Sequence, residues 1–430
     1  MPVSNPQTFS SEEFAAAMGA LEWRGDAMAL AVSGGPDSMA LALLLRDWAR
    51  TQNIRLIAFT VDHGLREESA AEAARVHEWL AALGIDHEIL RWEHPPLAKA
   101  VQEQARDARH RLLREACIRH DVAALALGHH RDDQAETVLM RFAKGSGIDG
   151  LAGMRPVYSM DGLTLLRPLL GMPKARLIAT CVARGQAYVS DPSNAHAHYA
   201  RGRLRGAADA LAAEGMDAER LADLAGRAAL ASDALAEYTA RLLARAARFD
   251  AAGYAELNIE ETLKEPEEIR TRALGEILQI IGGAAYPPRH HAMMDVSRAL
   301  QAGDMPRRTL HGCEIALADG SCRIIREFSA IRDRNPVKPG ETVLWDHRFR
   351  VGLAAGAPDG LIVAPLGLLD HEKLDSIAPG LRKKIPMGRV RAAHPALWRG
   401  AELWAVPGWH EYTVIETALA GGFACRNGFV

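Results

Sequence analysis

The chain has 430 residues, which is too long for one ordinary domain, so two or three domains are expected. Its apolar and charged fractions, 48% and 24%, are those of a globular protein, and no apolar run approaches the length of a membrane-spanning helix. The formal net charge of −3, taken for the whole chain, argues against a protein that mainly binds nucleic acid.

The cysteines and the N-terminal residues indicate the cellular compartment of the protein. The five cysteines are widely scattered and form no Cys-x-x-Cys pair, which argues against a zinc knuckle and against a redox or sulfur-relay pair. Isolated cysteines of this kind are typical of small buried residues in a reducing compartment. Residues 1–14 are polar and acidic and lack the basic and apolar regions of a secretory signal. We therefore expect a cytoplasmic protein.

The first predicted elements are a strand, a glycine-rich loop and a helix in direct succession. The apolar run 27–32 predicts a buried strand, Ser33-Gly34-Gly35-Pro36-Asp37-Ser38 forms the loop, and the helix runs on to about Ala49. Such a turn directs backbone N–H groups and the positive end of the helix dipole at one point, which favours phosphate binding. The loop lacks the Gly-Lys-Ser/Thr ending of a Walker A motif and the Gly-x-Gly-x-x-Gly of a dinucleotide-binding fold.

The alternation of strand and helix continues to about residue 143. Strands are predicted at 55–61, 87–90 and 122–127, and helices at 69–83, 101–120 and 132–143. Buried strands separated by amphipathic helices predict an α/β fold with a parallel sheet that is covered on both faces. Ligands of such sheets bind at the carboxyl ends of the strands.

Two strand ends carry candidate site residues. The second strand ends in Asp62-His63, although a capped turn alone would explain that pair. The fourth strand is followed by the segment 128–137, in which Asp132 can cap the next helix. In that helix Asp133, Glu136 and Thr137 share one face. Such a cluster suits Mg²⁺ or an ammonium group. A zinc site is disfavoured because no second ligand set has the usual spacing.

The composition changes after about residue 211. Helical periodicity at 220–248 and 267–281 predicts a helical domain, followed by a β-meander at 309–310, 314–318 and 322–326 around the turn Asp319-Gly320. Pro336, Pro339 and Gly340 form a linker, and a small α+β domain begins at Thr342.

Basic residues are concentrated in two places. Arg201, Arg203 and Arg205 lie in one short segment, and the segment 381–399 is basic without an acidic residue. A solvated basic face would explain either of them on charge alone, although local patches are what nucleic acids recognise. Trp398, Trp404 and Trp409 are interleaved with the second segment and are better explained as core residues than as stacking platforms.

The motifs resemble a known family. The loop 33–38 matches the SGGxDS loop of the PP-loop ATP pyrophosphatases. The segments SGGPDS, VDHGLR and GHHRDDQAETVLMRF, in that order and followed by KGSGIDGL, resemble the tRNA(Ile)-lysidine synthetase family. Weaker matches lie at 103–109, 167–169, 191–205 and 382–408, so that the resemblance covers about 28–409 and is faint in the helical middle. Two departures are His110, where an aromatic residue is usual, and Lys144, where arginine is commoner.

The resemblance implies three domains and a reaction. The domains are a Rossmann-like PP-loop catalytic domain at 1–210, a mainly helical tRNA-binding domain at 211–333 and an α+β tRNA-docking domain at 334–430. The wobble cytidine of a tRNA(Ile) with a CAU anticodon would be adenylated by ATP, and free L-lysine would then displace AMP to give lysidine. ATP is a substrate and Mg²⁺ a cofactor. No membrane partner is expected, and a homodimer is left open.

The resemblance also assigns residues. Catalytic roles are expected of Asp37, Arg106, Arg109, Asp133 and Glu136. ATP is expected to contact Ser33, Gly34, Gly35, Pro36, Asp37, Ser38, Asp62 and His129. Lysine is expected at Asp133, Glu136 and Arg203, and the metal at Asp37 and Asp132. The residues expected to bind tRNA are Arg201, Arg205, Arg382, Lys383, Arg389 and Arg391.

Two competing interpretations remain. Another ATP pyrophosphatase, such as a tRNA thiolase or an amide-forming synthetase, would need a catalytic cysteine pair or an ammonia source, and neither is evident. A non-catalytic, nucleotide-sensing tRNA-binding protein on the same scaffold is disfavoured because Asp37, Asp133 and Glu136 are all present.

Overall fold

A computed structural model describes residues 7–66, 68–94, 101–160, 162–189, 200–284, 286–410 and 412–417. The chain divides into two compact units, 1–232 and 233–429. The division falls within a long helix, whereas the expected domain limits at 210 and 333 remain predictions. Within the described ranges, no helix has both the length and the apolar character that crossing a membrane requires.

Unit 1 is built on a six-stranded sheet in the order β3-β2-β1-β4-β6-β5. Its strands are β1 Ala27–Ala31, β2 Arg55–Asp62, β3 Asp86–Arg91, β4 Ala124–Ala126, β5 Val157–Met160 and β6 Leu163–Leu166. All neighbours pair in parallel except β5 and β6, which pair antiparallel. The predicted parallel sheet is confirmed. The β5–β6 pair was not predicted, although the dipeptide at 161–162, Asp-Gly, is a hairpin signal.

The helices of unit 1 precede, connect and follow these strands. They are α1 Ser11–Ala20, α2 Pro36–Gln52, α3 Ser69–Ala82, α4 Val101–Arg119, α5 Arg131–Ala143, α6 Ile148–Leu151, α7 Lys174–Ala183, α8 Ala200–Gly206, α9 Ala208–Ala213 and α10 Ala218–Ala246, the last of which crosses the division between the units.

Alternation along β1 explains why both faces of the sheet are covered. Met28 and Leu30 belong to one apolar cluster, which includes Leu41 of α2 and Leu177 of α7. Ala29 and Ala31 belong to a second cluster with residues of α4. Successive side chains of a strand point to opposite faces, so a strand buried on both sides is apolar throughout. This burial leaves the carboxyl ends of the strands as the place where polar loops meet.

Unit 2 contains a five-stranded antiparallel sheet in the order β7-β8-β11-β10-β9. Its strands are β7 Ala247–Asp250, β8 Tyr254–Asn258, β9 Arg308–Leu310, β10 Cys313–Ala318 and β11 Ser321–Arg326. The helices α11 Ile259–Leu263, α12 Glu267–Gly282 and α13 His290–Ala302 accompany it. The β-meander around Asp319-Gly320 is confirmed, and both turn residues have positive φ (48° and 77°), as a tight hairpin requires. The strands β7 and β8 were not predicted.

The remainder of unit 2 has two smaller sheets, in the orders β12-β15-β16-β17 and β13-β14-β18. The strands are β12 Asn335–Val337, β13 Thr342–Trp345, β14 Phe349–Leu353, β15 Leu361–Pro365, β16 Pro395–Arg399, β17 Glu402–Ala405 and β18 Thr413–Thr417. Between β15 and β16 lie α14 His371–Ile377, α15 Leu381–Lys384 and α16 Gly388–Ala392. This mixture of short strands and helices confirms the α+β prediction.

Candidate active site

The glycine-rich loop joins β1 to α2 and is held by its own residues. Gly34 has a φ of 84°, a left-handed conformation that glycine adopts without strain. Its carbonyl accepts from the backbone N–H of Val189 at 2.8 Å. Ser38 Oγ donates to the Gly35 carbonyl at 3.0 Å and accepts from the Ser33 backbone N–H at 3.2 Å. With Pro36 at the first helical position, the loop is held at the N-terminus of a 17-residue helix.

A second glycine lets two strand ends come together. A Cβ on Gly128, which follows β4, would lie 3.2 Å from the carbonyl carbon and oxygen of Asp37 and from the Cα of Ser38. These are backbone atoms that cannot swing aside. Glycine at position 128 therefore allows the segment after β4 to lie directly against the loop.

Asp37 lies where three elements meet. Its Oδ2 is 3.4 Å from Lys174 Nζ and 3.5 Å from His130 Nε2. Burial raises the pKa of Asp37, but the hydrogen bond and charge of His130 and the charge of Lys174 outweigh it and lower the pKa. Its Oδ1 is buried and has no hydrogen-bond partner among the described residues. An ionised carboxylate with one buried, unpartnered oxygen is suited to a cation.

His130 is surrounded by carboxylates and is 1% exposed. Its ring nitrogens lie 3.4 Å from Asp133 Oδ2 and 3.5 Å from oxygens of Asp37 and Asp132. Burial lowers its pKa, yet these carboxylates raise it to about 9. Nδ1 also lies 3.3 Å from the Asp133 backbone N–H, a contact that only a neutral ring could accept. The three carboxylates favour the protonated ring, in which Nδ1 does not accept from that N–H.

The prediction that Asp132 caps α5 is wrong. The helix begins at Arg131, so His130 occupies the cap position. Asp132 Oδ2 instead accepts from the backbone N–H of Lys174 at 2.9 Å, at the start of α7. This hydrogen bond and those of His130 outweigh burial and lower the pKa of Asp132 to about 2. Asp132 therefore connects two helix N-termini.

Asp133 and Glu136 share a face of α5, as predicted, and both are contacted by one arginine of α8. Arg205 Nε donates to Glu136 Oε1 at 2.5 Å and Nη2 to Oε2 at 3.2 Å, and Nη2 lies 3.7 Å from Asp133 Oδ1. The structure thus places Arg205, which was predicted to bind tRNA, in contact with Asp133 and Glu136, which were predicted to bind lysine. Arg203 is exposed on the same helix, and Arg201 lies in it outside the described side chains.

Cationic side chains of α4 lie near the residues that follow β2 and β6. Arg106 and Arg109 of α4 are exposed, and desolvation lowers the pKa of Arg109. The pKa of His110 is lowered by burial and by the charges of Arg106, Arg109 and Arg167. Burial and Arg66 lower that of His63, with a further contribution from Arg109. The positive charges of Arg106, Arg109 and Arg167 around these histidines suit the binding of an anion.

The remaining predicted ATP ligands lie at neighbouring strand ends. Asp62 Oδ1 accepts from the Gly64 N–H at 3.1 Å and from Ser69 Oγ at 2.5 Å. These bonds are those of a capped turn, so they leave the ATP-binding role of Asp62 a prediction. His129 is half-buried and accepts at Nδ1 from Arg167 Nε at 3.2 Å.

The predicted tRNA-binding residues of unit 2 lie between 381 and 392. Arg382 pairs with Asp375 at 2.9 Å and Arg389 with Glu314, while Lys383 is exposed. Arg391 donates to the carbonyls of Ile385 and Pro386, both at 2.6 Å. Trp398, Trp404 and Trp409 are partly buried against apolar clusters, as the core interpretation expects.

The cysteines of the described residues are buried thiols with raised pKa values. Cys117, Cys181, Cys313 and Cys322 are all buried and free. Burial raises the pKa of Cys117 and of Cys181 to about 11 and those of Cys313 and Cys322 to about 12. A thiolate nucleophile needs a lowered pKa, so these thiols do not support thiolase chemistry. Cys425 lies outside the described residues.

The donor set fits Mg²⁺ bound together with a nucleotide. No group of three or more His, Cys, Asp or Glu side chains within the described ranges is arranged to hold a metal alone. Mg²⁺ in phosphate-transfer sites is commonly held by one or two carboxylates together with substrate phosphates. The unpartnered Oδ1 of Asp37 provides a ligand of that kind.

Two residues near Asp37 and His129 escaped prediction. Lys174 is the first residue of α7, and its only sequence signal was the preceding proline, which favours a helix start. Arg167 begins the segment 167–169 that resembles the family, but it was given no role, and the strand β6 before it was not predicted. Neither contact has a local signature, because each joins segments far apart in the chain.

The sheet order, the glycine-rich loop after β1 and the carboxylate at the first turn of α2 define a PP-loop nucleotide-binding protein. A family model described as a PP-loop domain matches residues 9–208. The tRNA(Ile)-lysidine synthase of Methylobacterium nodulans is 44% identical over 74% of this chain and 95% of its own length. That of Ruegeria pomeroyi is 38% identical over 88% of each chain. That of a Bradyrhizobium species is 41% identical over 69% of this chain and 89% of its own length.

The chain belongs to the tRNA(Ile)-lysidine synthase family, the same enzymes that the motifs indicated. Identity of this size over most of both chains is what shows the membership. The solved structure of the U34-tRNA thiolase NcsA from Methanococcus maripaludis is similar with a TM-score of 0.44 and 19% identity, over 50% of this chain and 77% of that one. That similarity is too weak to inform function.

Proposed function

We propose that the chain is a tRNA-modifying ligase that adenylates the wobble cytidine of tRNA(Ile) with a CAU anticodon and joins free L-lysine to it, giving lysidine, AMP and diphosphate. The observation that carries the proposal is the loop 33–38 at the N-terminus of α2, with the buried Asp37 Oδ1 unpartnered beside it. Family membership supplies the class of acceptor.

In the first step the cytosine O2 attacks the α-phosphorus of ATP, and the bond to the β-phosphate oxygen breaks. Diphosphate leaves with several negative charges. The backbone N–H groups of the loop, together with Lys174 beside Asp37, can stabilise those charges, and Arg106 and Arg109 are proposed to contribute further positive charge. Asp37 is the proposed ligand of Mg²⁺, which when bound would neutralise phosphate charge. Asp132 remains a second candidate ligand.

In the second step the ε-amine of lysine attacks C2 of the cytidine, and the C2–O bond to AMP breaks. Asp133 and Glu136 are proposed to bind the ammonium form. One of them takes a proton, since only the neutral amine is a nucleophile. Both side chains are largely buried, with exposures of 13% and 9%, so a paired cation is stabilised there more than in water. Arg203 is proposed to contact the lysine carboxylate.

Recognition of the tRNA must reach beyond the cytidine. Arg382, Lys383, Arg389 and Arg391 are proposed to contact tRNA phosphates, and such contacts position a nucleic acid while base contacts specify it. The pairing of Arg382 and Arg389 with carboxylates in the tRNA-free protein means that a phosphate would replace those partners. The target cytidine lies in a single-stranded loop, so extruding it costs little.

The test is incorporation of labelled lysine into a tRNA(Ile) transcript with a CAU anticodon, with ATP and Mg²⁺ present and tRNA(Met) as the control. Label in the isoleucine tRNA alone, with AMP and diphosphate released, would support the whole proposal. AMP formation that requires a different acceptor would keep the ATP pyrophosphatase chemistry and reject lysidine. Absence of AMP with every acceptor would reject catalysis.

A further inference from the structure

Arg167 occupies an unusual position for a guanidinium. It follows β6, which pairs in parallel with β4, and its side chain reaches His129 beyond the end of β4. It is 4% exposed, and its Nη1 donates to the Arg155 carbonyl at 2.7 Å and its Nε to His129 Nδ1 at 3.2 Å. Among the described residues, the titratable groups that act on its pKa are Tyr158, Arg106 and Arg141, and no carboxylate is one of them.

Burying a charged side chain without a carboxylate partner costs free energy, so the position of Arg167 needs an explanation. Burial and the charges of Arg106 and Arg141 lower the pKa of Arg167 to about 10, which still leaves the guanidinium protonated at neutral pH. A neutral side chain with an N–H group could donate to the Arg155 carbonyl just as well, so that contact does not explain why the side chain is an arginine. In the hydrogen bond to His129, by contrast, a group that always donates and never accepts determines which form of the imidazole is present.

The chemistry of that hydrogen bond determines the form of the imidazole. An arginine N–H donates and never accepts, so the Nδ1 of His129 must present its lone pair. The ring is then neutral and carries its proton on Nε2. An Nε2–H group is a hydrogen-bond donor, which suits a phosphate or carbonyl oxygen of a nucleotide.

We propose that Arg167 is a positioning residue that holds His129 as a neutral Nε2–H donor to the bound nucleotide. The inference rests on the proposed role of His129 in ATP binding. Arg167 acts on the bound nucleotide through His129.

The first test measures which ring nitrogen of His129 carries the proton. The full chain is labelled with ¹⁵N in its histidine rings, and the His129 signals are assigned by their loss in His129→Gln. At pH 7.5 without ligands, His129 should show a protonated Nε2 and a non-protonated, hydrogen-bonded Nδ1. A protonated Nδ1 in the wild-type chain would overturn the proposal. This readout needs no catalysis, so it is independent of whether lysidine is made.

The second test is a double-mutant cycle on ATP-dependent AMP formation. Arg167→Met should raise the KM for ATP about fivefold, the effect of one hydrogen bond, and leave the KM for lysine unchanged. Arg167→Lys, which keeps a charged donor, should recover part of the loss. In a His129→Ala background, Arg167→Met should have no further effect on the KM for ATP.

An equal effect of Arg167→Met in both backgrounds would overturn the proposal, because Arg167 would then act independently of His129. Arg176→Met is the matched control: this partly buried arginine of α7 pairs with Glu13 and should alter thermal stability without altering the KM for ATP. If Arg167→Met does not fold, Arg167→Lys and the wild-type ring spectrum still decide the question.

Discussion

Arg205 of α8 donates two hydrogen bonds to the Glu136 carboxylate of α5, from Nε at 2.5 Å and from Nη2 at 3.2 Å, and its Nη2 lies 3.7 Å from Asp133 Oδ1. Burial lowers the pKa of Arg205, but Glu136, Asp133 and Asp37 outweigh it and raise the pKa. A guanidinium of the protein is therefore already paired with the two carboxylates proposed to bind the substrate ammonium. Lysine can bind them only if Arg205 moves or shares them.

This competition predicts that Arg205→Met strengthens lysine binding to the tRNA-free chain about fivefold, since a partly exposed ion pair contributes about 1 kcal/mol. Isothermal titration with lysine measures it. Arg220→Met, which removes an exposed arginine paired with Asp217, is the control and should leave the affinity unchanged. Weaker lysine binding by the Arg205 variant would show that the guanidinium supports the lysine site instead of competing for it.

A methyl group on Gly128 is predicted to impair nucleotide binding more than folding. The added Cβ of Gly128→Ala would meet backbone atoms of Asp37 and Ser38 at 3.2 Å, so the loop must shift by a few tenths of an ångström. We expect the KM for ATP to rise about tenfold, because small displacements of a phosphate-binding loop misplace the reacting groups. Gly226→Ala in α10 has open space around its Cβ and should leave the KM unchanged. Equal KM values for the two variants would contradict the prediction.

Unit 2 depends on a buried charged triad. Asp346 is 4% exposed and accepts from Arg326 and Arg348, both at 2.7 Å. Asp346→Asn keeps the shape and the tolerance for the φ of 48°, but leaves two buried guanidinium groups without their anion. We expect a loss of about 3–5 kcal/mol in the free energy of unfolding, measured with urea.

The control for the triad is a surface ion pair. Asp375→Asn removes the partner of Arg382, a half-exposed pair, and should cost less than about 1 kcal/mol. A similar cost for both variants would mean that the triad contributes no more than a surface pair. ATP binding should be unaffected by either change, since Asp346 and Asp375 lie in unit 2 and the loop 33–38 in unit 1.

Unit 2 should also lose stability in mild acid through His394. Burial, together with the charges of Arg348 and Lys384, lowers the pKa of His394 from 6.5 to about 4. The unfolded chain therefore binds a proton below pH 6.5 that the folded chain excludes. Stability from this residue is complete above pH 6.5 and declines as the pH falls towards 4, by up to about 3 kcal/mol.

His394→Asn removes that titration while an amide can still donate to the Pro395 carbonyl. Urea unfolding at pH 7.5, 6 and 5 should show a shallower pH dependence than in the wild-type chain. His371→Asn, at an exposed position on α14, is the control. An unchanged slope in His394→Asn would remove His394 as the cause.

The sequence by itself determined the elements whose signals are local. The strand, loop and helix at 27–52 follow from an apolar run, a left-handed glycine and a proline at the helix start, each a property of neighbouring residues. The shared face of Asp133 and Glu136 follows from helical spacing alone. Membership of the PP-loop class was evident for the same reason.

Only the tertiary structure decided which side chains meet. Lys174 reaches Asp37 across 137 residues, Arg205 reaches Glu136 across 69, and Arg167 reaches His129 across 38. Strand order brings these positions together, and long charged side chains then select partners by distance and burial, which no local pattern encodes. The prediction that Asp132 caps α5 failed because the helix begins at Arg131, and the Asp132 carboxylate accepts from the N-terminus of α7 instead.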